Sequence, residues 1–174
     1  MNSDQITEKF GSYHVAVLHQ DGSRRLASLY SEHDQGAICR TLALTLFRQP
    51  VPQILSEVDR DIRAGHSIGT TLRGAGLHLS KEPLLEMAGT AGPSFAKLTH
   101  GTVPAGTPLH INLYRLNAGP TLDRAEPYAV IAEAHHPEHI APDPEASTSI
   151  PQQVDADGRE ALEALLAAIG DGEN

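Results

Sequence analysis

The sequence predicts a single α+β domain built on an antiparallel sheet, and three observations carry that expectation. The first is the stretch from Tyr13 to Phe47, where strand-like segments are separated by the hairpin turn Asp21-Gly22 and by the turn-rich run ending at Gly36. It reads as a meander of three strands. The second is the strict alternation of Leu109-His-Ile-Asn-Leu-Tyr-Arg-Leu116, the mark of a half-buried strand. The third is that helical spacing is confined to short stretches, which cover a sheet rather than form a bundle.

Taken in order, Ile6 and Phe10 stand at helical spacing behind Ser3 and Asp4, either of which suits a cap. Strands follow over Tyr13–Gln20, Arg24–Ser31 and Ala37–Phe47. Pro50 and Pro52 break the third strand, and Ile54, Leu55, Val58 and Ile62 then recur as one face of a helix ending at Gly65. Residues 66–76 read as a glycine-containing turn, and Leu77–Leu85 as a strand. The Gly, Ala, Pro and Thr content of residues 88–108 predicts a long loop or insertion. Tyr128 to His135 is the last strand. It ends before Pro137, and a polar, Pro-rich linker over residues 141–153 leads to an amphipathic helix over Gly158–Ile169 and an acidic end at residues 171–174. The expected division is therefore a domain over residues 1–140, followed over 141–174 by a Pro-rich linker and a short C-terminal amphipathic helix.

Composition narrows the function. A chain of 174 residues supports one real core. Its hydrophobic residues form no run of eighteen, which predicts neither a membrane span nor a secretory segment and suggests a soluble, cytoplasmic protein. The net charge of -9, the scattered 13 Lys and Arg and the absence of Trp argue against a nucleic-acid surface. The lone Cys39 has no disulfide partner and reads as a small buried side chain.

A few residues stand out chemically. Glu133 lies inside the apolar strand Tyr128-Ala-Val-Ile-Ala-Glu-Ala-His135, so it must face water from an edge strand, be paired, or have a raised pKa suited to acid–base work. Arg25 and Arg40 sit in strands, and the guanidinium is the donor suited to a forked grip on a carboxylate. Ser67-Ile68-Gly69 is a small turn whose backbone N–H groups suit an anion, although ordinary chain reversal explains it equally. His135, His136 and His139 cluster near Glu138, but adjacent strand residues face opposite ways, so at most one of His135 and His136 shares a face with Glu133.

Together these residues resemble the chorismate pyruvate-lyase family, whose fold is shared by the effector-binding domains of a class of bacterial transcription regulators. Asp4-Gln-Ile-Thr-Glu-Lys-Phe10 is similar to the family's N-terminal Ser-Met/Leu-Thr-x-x-Phe/Leu segment. Arg40-Thr41 aligns with the family's Arg-Thr in its third strand, and the ungapped register then sets Arg25 on the family's carboxylate-binding arginine. Ser67-Ile-Gly-Thr-Thr-Leu72 resembles Pro-Leu-Gly-x-x-Leu, and Glu133-x-x-x-Pro137 resembles the Glu-x-x-x-Pro of the last strand. The chain departs from the family in Ser67, in the length between Ile68 and Glu133, and in everything beyond Ala141.

The resemblance implies short helices folded over an enclosed ligand pocket, with backbone contacts from Ile6, Ile68 and Gly69. It also implies Arg25 and Arg40 on carboxylates and Glu133 at the ligand hydroxyl. The implied activity is elimination of pyruvate from chorismate or a close relative to give 4-hydroxybenzoate, with no metal or organic cofactor. A non-catalytic pocket for a small aromatic or cyclohexadiene carboxylate, as in the regulator domains, is the second reading. A metal-dependent enzyme built on the histidines is the third.

Overall fold

In a computed structural model, which describes residues 1–170, the strands form one six-stranded antiparallel sheet. Helix α1 (Asn2–Phe10) precedes the meander β1 (His14–Asp21), β2 (Arg24–His33) and β3 (Gly36–Phe47). A 3-10 turn at Gln53–Leu55, α2 (Ser56–Arg63) and α3 (Ile68–Gly74) then cross to β4 (His78–Thr90). After α4 (Pro93–Leu98) come β5 (Pro108–Gly119), β6 (Glu126–His135) and α5 (Ala156–Gly170). The strand order is β1-β2-β3-β6-β5-β4, so the last strand inserts at the centre. The edge-strand explanation of Glu133 is thereby removed.

Three expectations change. Residues 88–108 are not a long loop: they hold the end of β4, all of α4 and the start of β5, because β4 pairs with β5 as far as Thr90 opposite Pro108. Residues 66–76 contain a helix, α3, rather than a bare turn. The C-terminal helix is no appendage. Ala161, Leu162, Leu165 and Ile169 of α5 are fully buried against Leu42, Leu44, Ile111, Leu113, Val130 and Ala132 of the sheet, together with Phe95 of α4. Its end docks where Gly92 N–H donates to the Ile169 carbonyl at 2.8 Å, and a Cβ at Gly92 would lie 2.2 Å from the Gly170 oxygen. Only glycine admits that approach. The acidic end at residues 171–174 lies outside the described residues.

The sheet therefore has two unlike faces. From Leu42 in β3 and Val130 in β6 onward, even-numbered residues supply the apolar face under α4 and α5, where buried Cys39 also packs with its thiol pKa pushed up to about 12 by burial. Odd-numbered ones, including Ala43, Thr45, Ile131 and Glu133, supply the opposite face, covered by α1, α2 and α3. Leu55, Ile62 and Leu72 anchor that cover in the core. No helix among the described residues is long and apolar enough to cross a membrane.

Candidate functional site

On the second face, a cavity lies between the sheet, the start of α1 and the first turn of α3. Its floor is Arg25, Ala27 and Leu29 of β2, Ala43 and Thr45 of β3, Ile131 and Glu133 of β6, and Tyr114 and Leu116 of β5. Ser67, Ile68 and Gly69 line it from α3, and Met1, Asn2 and Ser3 from α1. The free space is about 60 Å³. That is room for a few waters, whereas small-molecule pockets commonly enclose ~300–1,000 Å³. The Met1 side chain occupies part of this space, with its Cε packed against Gly69.

Arg25 stands on β2 opposite Thr45 and is 3% exposed. Its Nη1 donates to the Ile62 and His66 carbonyls, both at 3.0 Å, and its Nε is buried without a partner. No carboxylate among the described residues pairs with it, and burial holds its pKa below the usual guanidinium value. It remains cationic at neutral pH. A buried charge without a counter-ion is costly, and the two backbone carbonyls offset only part of that cost.

Glu133 stands on β6 opposite Ala43, 5% exposed. Tyr114 Oη donates to its Oε1 at 3.0 Å, and His135 Nε2 lies 3.6 Å from Oε2. Of the outcomes open to a carboxylate in an apolar strand, pairing by hydrogen bond is the one observed. The same contact acts back on the phenol, whose pKa is pushed well above its usual value by burial and then by the Glu133 charge. From ordinary strand spacings, with one strand between and a two-residue offset, the Arg25 and Glu133 Cα atoms stand about 12 Å apart. A basic and an acidic side chain thus line the cavity from strands two places apart.

Around Glu133 the hydrogen bonding is dense. His135 Nε2 donates to Asn112 Oδ1 at 2.5 Å, and Nδ1 meets Thr41 Oγ1 at 2.9 Å. Burial, and then the positive charges near it, hold its pKa well below the usual histidine value, so it is the neutral tautomer with Nδ1 accepting. His136 points the other way, to Thr102 Oγ1 at 3.0 Å, in keeping with opposed neighbours on a strand. His139 pins the start of α1 through Asn2 Oδ1 at 2.6 Å, and its pKa is lowered to about 4, mainly by burial. The three rings serve different partners, and no group of three or more potential ligands among the described residues is arranged around one metal position.

Two of the sequence-derived residues lie elsewhere. Arg40 does not line the cavity. Leu29 pairs with Thr41 but Tyr30 pairs with Cys39, so Arg40 is the extra residue of a β-bulge, and its side chain turns to Ser31 Oγ at 2.9 Å. There it lies 3.8 Å from the Phe10 ring centroid and 3.4 Å from Glu138. It holds α1 and the 136–140 turn together. Ile6 is fully buried on the inner face of α1, and Met1, Asn2 and Ser3 take the position at the cavity that the resemblance gives to Ile6. Arg25, Ile68, Gly69 and Glu133 do converge.

No family model matches the sequence, and no curated protein gives a significant match. The functional reading therefore rests on the site itself. Reasoning from sequence missed Tyr114, Tyr13 and Lys81, which also line the cavity. Tyr114 was within reach: the alternation of residues 109–116 sets it with His110 and Asn112 on the polar face of β5.

Proposed function

We propose that the protein is a chorismate-lyase-like enzyme that eliminates pyruvate from chorismate or a close relative to give 4-hydroxybenzoate. The observation that carries this reading is Arg25, a buried cation at the cavity wall with no carboxylate partner among the described residues, set across the cavity floor from the buried Glu133. Such a cavity favours an anion at one end and a hydroxyl or a labile proton at the other.

Chorismate has that polarity. Its ring carboxylate at C1 lies across the ring from C4, which carries both the hydroxyl and the proton to be lost. In the elimination the C4–H bond and the C3–O ether bond break. The C4–H electrons form the C3–C4 double bond, which completes the aromatic ring. The ether oxygen leaves with its side chain as the enolate of pyruvate, which takes up one proton at carbon. Aromatisation supplies much of the driving force. The residues need only orient the anion and hold one proton. Arg25 grips the ring carboxylate, while Glu133, fixed by Tyr114, receives the proton or orients the hydroxyl. Cover by α1 and α3 limits water at the site, which strengthens each contact. A non-catalytic pocket for a small aromatic carboxylate is the alternative, since the same arginine serves both.

The test is to incubate purified protein with chorismate and follow pyruvate and 4-hydroxybenzoate together, with Arg25→Ala as the control. Equimolar formation of both products, abolished in the variant, is the expected result. Binding of chorismate or 4-hydroxybenzoate without turnover moves the reading to the sensor, and absence of both removes it.

A further inference from the structure

Chorismate is a dianion, and removal of Arg40 from the cavity leaves its second carboxylate without a holder. Among the side chains lining the cavity, two are basic: Arg25 and Lys81. We propose, on the basis of the lyase reading above, that Lys81 anchors the enolpyruvyl carboxylate and so makes the site selective for dianions.

The geometry supports that end of the substrate. Lys81 is on β4 opposite Leu116, and its stem runs along the cavity face so that Nζ lies 4.3 Å from the Tyr114 ring centroid. Tyr114 is the residue that fixes Glu133. The enolpyruvyl group leaves from C3, next to C4, so a cation for its carboxylate belongs at the Glu133 end rather than the Arg25 end. No carboxylate among the described residues forms an ion pair with the ammonium, which is free to take one from a ligand.

Lys81 also stands in a partition. A second, open pocket of about 630 Å³ lies beyond it, lined by His110, Asn112 and His135. Met1, Asn2, Lys81 and Glu133 line both spaces. A hydrated, exposed ammonium on a flexible stem can meet a carboxylate at this boundary and follow it outward, which a buried guanidinium cannot.

The experiment compares wild type, Lys81→Ala and Lys81→Arg for kcat/KM with chorismate and for the Kd of 4-hydroxybenzoate, which has one carboxylate. Loss of one charge-assisted contact predicts a fall of roughly tenfold or more in kcat/KM for Lys81→Ala, with 4-hydroxybenzoate affinity held within about twofold. Lys81→Arg should recover most of the loss. If wild type binds chorismate without turnover, the Kd of chorismate replaces kcat/KM. Unchanged handling of chorismate in Lys81→Ala, or equal weakening toward both ligands, overturns the assignment while leaving the lyase reading intact. A wild-type protein that neither converts nor binds chorismate overturns the lyase reading, and this assignment with it. Lys81 is exposed, so a preserved melting temperature is the expected folding control.

Discussion

The two faces of the sheet are made by the same strands and do opposite things. Toward α5, the side chains of β3, β5 and β6 are Leu, Ile, Val and Ala, packed with Ala161, Leu162, Leu165 and Ile169. Toward α1 and α3, alternate positions of those strands carry Thr41, Thr45, Asn112, Tyr114, Glu133 and His135, and Arg25 joins them from β2. Both faces bury apolar clusters, but only the second also bears the cost of buried charge and of a dense polar network. What the contrast teaches is that a central strand buried on both sides can hold a buried carboxylate where apolar packing on both faces offsets its cost.

If that division is real, substitutions on the two faces should separate activity from stability. The largest effect is expected of Glu133→Gln. The amide still accepts from Tyr114, so the melting temperature should hold, whereas chorismate turnover should fall by about 10²–10⁴-fold. Retained turnover would remove Glu133 from the proton transfer. Leu162→Ala should do the reverse: a loss of about 2–5 kcal/mol in urea unfolding, with the Kd for 4-hydroxybenzoate unchanged under native conditions. A weakened Kd would show the two faces to be coupled.

A smaller effect concerns pH. His139 has its folded pKa lowered to about 4, below the value of about 6.5 expected when unfolded, mainly through burial. The unfolded chain therefore binds the proton first. The contribution of neutral His139 is complete above pH ~6.5 and is lost as pH falls toward ~4. His139→Gln keeps a donor for Asn2 and removes the titration, so its melting temperature should fall less steeply than that of wild type across this window. Parallel curves would assign the acid sensitivity to other groups.

Much of this was legible in the chain. Alternation and turn chemistry located five of the six strands within a few residues and placed Glu133 inside the last one, because period-two patterning is a local property. Arg25, Ile68, Gly69 and Glu133 were also identified and do meet at one cavity. Arg40 lies outside the cavity because the one-residue bulge turns it to the α1 side at the Phe10 end of that helix, where Ser31, Phe10 and Glu138 occupy it, and nothing in Cys39-Arg40-Thr41 announces that placement. Lys81 was missed because an exposed lysine near a strand end has no local signature of function.

By itself, then, the sequence determined the antiparallel strands, the short helices and the oddity of a carboxylate in an apolar strand. Those follow from side-chain period, turn residues and the cost of dehydrating charge. Only the tertiary structure decided that β6 lies between β3 and β5, that α5 belongs to the core, and that Arg25 and Glu133 face one cavity while Arg40 does not. These depend on pairings between residues far apart in the chain, whose free energy comes from the surfaces they bury together and is carried by no single segment.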